Sequence, residues 1–91
     1  MIDDHSIIQR TPDLITADVE GESVVLNSVT GTFYQLNASA ARIWDLVETP
    51  QTPAALVTQL VARFDVTAEQ CRADVLHLID SLQQRGLVEA A

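Results

Sequence analysis

The chain has no lysine and a single cysteine, Cys71, among its 91 residues. One cysteine excludes an intrachain disulfide, so the fold must rest on its core. It also fits a reducing compartment. Without lysine there are five cations, all arginine, against 13 carboxylates, and the formal net charge is −8. Such a surface repels a phosphate polymer or an anionic bilayer unless its arginines gather on one face. No apolar run approaches the roughly 18 residues that span a membrane. The opening Met1-Ile2-Asp3-Asp4-His5 lacks the basic and apolar stretches of a signal peptide, and the expected location is the cytoplasm. There is no glycine-rich phosphate loop, no His–carboxylate pair at useful spacing and no metal-ligand cluster. Neither a catalytic centre nor a cofactor is expected. Repeats, low-complexity tracts and long linkers are missing too.

What the chain does have is apolar patterning. Hydrophobic residues make up 47% and charged residues 20%, the balance of a folded domain and not of a disordered segment. The reading is one domain over residues 1–91 with a modest core and a loose N-terminus over 1–7.

Two halves differ in texture. Up to about Leu36 the chain is rich in Val, Ile, Thr and aromatics. Residues Leu14 to Glu20 alternate, with Ile15, Ala17 and Val19 on one face and Thr16, Asp18 and Glu20 on the other. Gly21-Glu22 reads as a turn, Ser23 to Ser28 as a second strand, and Val29-Thr30-Gly31 as another turn with Gly31 suited to positive φ. Thr32 to Leu36 is a third strand. Short connections make a meander, which needs a helical layer on one face.

The second half is helical. Asn37 can cap a helix that carries Ala40, Ile43, Trp44 and Val47, and Pro50 stops it. Thr52-Pro53 opens another, striped by Leu56, Val57, Leu60, Val61 and Phe64. Thr67-Ala68-Glu69-Gln70 has the form of a capping box and opens the longest helix, with Cys71, Val75, Leu78, Ile79 and Leu82 on one face. Arg85 suits its negative end, Gly86 the left-handed cap, and Leu87 can fold back on Leu82. The fold class is therefore α+β: a three-stranded antiparallel meander packed on three helices.

Four segments carry a resemblance: Val24-Val25-Leu26-Asn27; Gly31 with Phe33-Tyr34-Gln35-Leu36-Asn37; Ala41-Arg42-Ile43-Trp44; and Ala73-Asp74-Val75 leading to Leu82 and Arg85-Gly86-Leu87-Val88. In order and spacing they resemble the PqqD-like family, also called RiPP recognition elements, from about Ile8 to Val88. The resemblance implies a fold related to winged helix-turn-helix domains. It implies a non-catalytic protein that binds the leader region of a ribosomally made precursor peptide and presents it to a modifying enzyme such as a leader protease or cyclase. The third strand, with Leu36-Asn37 and Ile43-Trp44, looks closest to stand-alone members of lasso-peptide pathways.

The resemblance also implies a location for binding. In this family the leader lies beside the third strand, against the third helix. Carried over, Thr32, Phe33, Tyr34, Gln35 and Leu36 supply the strand edge. Cys71, Asp74, Val75 and Leu78, on one flank of the third helix, supply the opposite wall. Val75 and Leu78 would form an apolar pocket and Asp74 a hydrogen-bonding rim. Phe33 and Tyr34 point to opposite faces of a strand, so one of them belongs to the core. Without the resemblance, Val75 and Leu78 read simply as core, and so does Trp44.

Other readings compete. Cys71, Asp74 and His77 at i, i+3, i+6 fall short of a metal site. Cys71 lacks an activating base, and an inert buried thiol is the better account. Asp80-Ser81-Leu82 matches the tripeptide of acyl carrier proteins, but it lies deep in the last long helix and the strand-rich half does not fit. Duplex DNA is disfavoured because the third helix mixes Arg72, Gln83, Gln84 and Arg85 with Glu69, Asp74 and Asp80. A protein-interaction module that uses the same strand edge, as a monomer or weak homodimer, is the main alternative.

Overall fold

The computed structural model describes residues 2–20 and 22–91. Its elements run Ile8–Arg10 (β1), Leu14–Val19 (β2), Glu22–Asn27 (β3), Phe33–Leu36 (β4), Ala38–Leu46 (α1), Pro53–Arg63 (α2), Ala68–Gln84 (α3) and Val88–Ala90 (β5). Strands β2, β3 and β4 form the expected antiparallel meander, and the three helices cover one of its faces. The turn read at Gly21 lies outside the described residues, while Glu22 already belongs to β3. At the next turn the Asn27 carboxamide oxygen accepts from the N–H groups of Val29 and Thr30 at 3.0 and 3.3 Å. Gly31 closes it with φ of 75°, a region that a side chain would strain.

Each helix starts on the residue expected to cap it. The Asn37 side chain accepts from the Ala40 N–H, Thr52 from Ala55 and Thr67 from Gln70. The capping box of α3 is half made. Gln70 does not reach back to Thr67 but donates forward to Asp74 at 3.0 Å. The end of α3 is a Schellman motif: Gly86, at φ 76°, donates to Gln83, and Leu87 donates to Leu82, both at 2.9 Å. Leu82 and Leu87 are both buried.

A second sheet escapes the sequence reading. Strand β1 pairs antiparallel with β5 in the register Ile8↔Ala90, Gln9↔Glu89 and Arg10↔Val88. Ile8 and Val88 are both core residues, and Ile8 also bridges to Gln51 through hydrogen bonds of 2.7 and 3.0 Å. Residues 2–7, read from sequence as loose, make several contacts of their own. Arg72 pairs with Asp4 at 2.9 Å, the Ala54 N–H donates to the Asp4 carbonyl at 3.3 Å, and Ile2 packs against the core.

Trp44 ties the layers together. Its ring is fully buried, its Nε1–H donates to Thr16 Oγ1 on β2 at 2.9 Å, and Arg10 from β1 stacks 4.2 Å from the ring centroid while donating to the Trp44 carbonyl. This contact decides which way the main sheet faces. Thr16, Val25 and Tyr34 are cross-strand neighbours toward the helices, whereas Ile15, Leu26 and Phe33 form the outward row. Ile15, Ala17 and Val19 do share a face, as the alternation indicates, but that face points to solvent, with Ile15 53% and Phe33 67% exposed.

Candidate functional site

Strand β4 is the outer strand of the meander and, among the described residues, pairs with β3 alone. Its hydrogen-bonding phase follows from the turn, where the Asn27 N–H donates to the Thr32 carbonyl at 2.8 Å. In an antiparallel ladder the inward and outward main-chain groups alternate. Thr32, Tyr34 and Leu36 therefore turn theirs toward β3, and Phe33 and Gln35 turn theirs to the open edge. The side chains divide the other way. Tyr34 is half-buried on the helical side, Leu36 is a core residue at 2% exposure, and Phe33 stands on the outer face.

Just past the C-terminal end of α3, the Arg85 guanidinium lies 5.9 Å from the centroid of the Tyr34 ring. Further back along α3 is a cavity of about 460 Å³. Four of its lining residues are those expected on the α3 flank, Cys71, Asp74, Val75 and Leu78, and His77 borders it as well. Residues 32–36 do not line it, but Asn37, which directly follows β4, does. Strand and cavity thus adjoin through the β4–α1 junction.

Within the cavity wall, Val75 and Cys71 are nearly inaccessible and form its floor, while Leu78 is half-buried and Asp74 is exposed at the rim. Burial, reinforced by the Asp74 charge, pushes the Cys71 thiol above its ordinary pKa, which holds it protonated and weakly nucleophilic. Among the described residues, no three His, Cys, Asp or Glu side chains are positioned to hold a metal.

The opposite wall is made by residues that the sequence reading did not single out for binding: Ser39 and Arg42 on α1, and Leu60 and Phe64 at the end of α2. Arg42 stacks on Phe64, its Cζ 4.5 Å from the ring centroid. The sequence does carry a signal for Phe64. It is the last member of the α2 stripe, and a stripe that outlasts its helix leaves its final ring 41% exposed. Among the described residues no helix is long and apolar enough to cross a membrane.

The sequence model of the family "Coenzyme PQQ synthesis protein D (PqqD)" matches residues 22–88, from the start of β3 into β5. Two solved structures are similar over most of the chain. One is described as "Lasso peptide synthetase B1 complexed with the leader peptide"; it is 24% identical with a TM-score of 0.79, covering 90% of this chain and 96% of that one. The other, "TbiB1 in Complex with the TbiA(beta) Leader Peptide", is 27% identical with a TM-score of 0.79, covering 89% of this chain and 94% of that one. No curated protein matches by sequence.

Proposed function

We propose that this chain, which belongs to the PqqD family, captures the leader segment of a ribosomally made precursor peptide and presents it to a modifying enzyme without catalysing a reaction itself. The observation that carries this reading is the unpaired edge of β4 beside a cavity walled by α3. The two similar solved structures each hold a leader peptide, which supports the same reading. The first of them also points toward lasso-peptide biosynthesis as the pathway class. A leader protease or cyclase in the cytoplasm is the partner that such a protein would serve.

The physics divides between edge and cavity. Phe33 and Gln35 offer two N–H and two C=O groups to an incoming strand. Each resulting bond contributes only about 0.5–1.5 kcal/mol net. Ordering a flexible peptide offsets much of that sum. Main-chain pairing therefore sets orientation and register, and side-chain anchors in the cavity supply affinity and selectivity. The Leu78 side of α3 is the cavity wall that a leader anchor would meet, and Tyr34 lies on the strand that leads to it. Asp74 stands at the rim as a hydrogen-bond acceptor, and Cys71 and Val75 support the floor.

Titration of a labelled leader from the precursor peptide encoded beside this chain tests the reading. Binding should weaken in Tyr34→Ala and in Leu78→Asp while both variants keep the wild-type circular dichroism spectrum. Unchanged affinity in two folded variants would remove the groove from consideration. The same edge could instead pair with a second copy of the chain. Sedimentation would then show a dimer that leader peptide dissociates.

A further inference from the structure

Resting on the peptide-capture reading, we propose that the stacked Arg42–Phe64 pair recognises an acidic side chain of the bound peptide, next to an aliphatic anchor held by Leu78. The Arg42 Cζ lies over the ring at 4.5 Å from its centroid, and among the described residues no side-chain hydrogen bond or ion pair engages the guanidinium N–H groups. Those groups are the part that matches a carboxylate with two parallel hydrogen bonds. The ring also fixes the orientation of a long side chain, which reduces the entropy lost when a ligand arrives.

The other arginines show why Arg42 stands out. Arg72 is paired with Asp4, Arg10 is bound to the Trp44 carbonyl and ring, and Arg85 lies over Tyr34. Among the described residues no carboxylate comes within ion-pair distance of Arg42. Arg63 joins it: both arginines, Phe64 and one carboxylate, Asp45, line an adjoining hollow of about 230 Å³. In a chain of net charge −8, two of five cations therefore line one hollow. On a surface where carboxylates outnumber cations, the two guanidiniums here outnumber the one carboxylate of the hollow, Asp45, so the local balance favours an incoming acid.

The cavity is also polar in a defined direction. Arg42 stands on the α1–α2 wall and Asp74 on the α3 wall. An acidic residue is attracted to one side and repelled from the other, so the pair would fix its position relative to the aliphatic anchor.

Selection from a displayed library of random linear peptides against the intact chain tests this, whatever the natural precursor. Wild-type protein should enrich peptides with Asp or Glu at a fixed spacing from an aliphatic residue. Replacing that acid by its amide in a selected peptide should weaken binding roughly tenfold, as expected for loss of a charge-assisted hydrogen bond. Arg42→Gln should abolish the difference between acid and amide. Arg42→Glu should shift enrichment at that position toward Lys and Arg; circular dichroism checks that both variants fold. Enriched peptides with no acidic preference, or a preference unchanged in Arg42→Gln, would overturn this assignment and leave peptide capture standing. If no peptide is enriched at all, both fail.

Discussion

The molecule holds two small sheets that serve opposite ends. The β1–β5 pair is short, three residues a strand, yet it places Ile8 and Val88 in the core. The β2–β3–β4 meander is larger but leaves an outer face and an edge uncovered, with Phe33 67% exposed. Strand length does not measure contribution to stability. The small sheet is wedged between core and termini, while much of the large one faces solvent. The difference separates the part that stabilises the chain from the part that remains available to a partner.

That contrast can be broken most forcefully at Trp44, which joins β1, β2 and α1. Trp44→Ala should cost about 3–5 kcal/mol, since it opens a core cavity, takes the Nε1–H donor from Thr16 and removes the ring beneath Arg10, which keeps only the main-chain carbonyl. Urea denaturation reads the loss directly, and a cost below about 1 kcal/mol would mean that the layers hold without it. On the open side, Gln35→Pro should do the reverse. Its N–H faces the edge, where proline is tolerated, so the fold should survive while leader affinity falls roughly tenfold through the lost donor. Retained affinity in calorimetry would place the peptide elsewhere. Phe33→Ser should change stability by no more than about 0.5 kcal/mol, as for other surface positions. A larger drop in thermal melts would show that the outer face is part of the folding unit.

The smallest effect lies on the floor of the cavity, at Cys71. Its folded pKa is raised, so above the unfolded value the native state binds more protons than the unfolded state. Its stabilising contribution is fully present below the unfolded pKa and is lost as pH rises through the folded one. Melting temperature should therefore fall slightly more steeply with alkaline pH in wild type than in Cys71→Ala. Equal slopes would mean that the thiol is less enclosed than its surroundings indicate.

How much of this is legible in the sequence follows from the range of the interactions involved. Caps and helix ends depend on neighbours a few residues away, so Asn37, Thr52, Thr67 and Gly86 are readable in place. The β1–β5 pairing joins residues about eighty apart, and strands of three residues carry no alternation to announce it. In β2 the period of two is clear, but period alone does not say which face is inside. A threonine takes the inward position because Trp44 needs an acceptor, which hydrophobicity does not encode. At the candidate site, the α3 flank is legible through the resemblance and the helical spacing. The facing wall is not, because Arg42 and Phe64 meet only when α1 and α2 are brought together.

Strands β1 and β5 also depend on each other. Ile8 sits opposite Ala90, and the Ala91 N–H donates to the Ile7 carbonyl at 2.8 Å, so the first and last strands close one seam. Deleting either strand unpairs the other and uncovers Ile8 or Val88, while the β4 edge, which belongs to the other sheet, is left as it is.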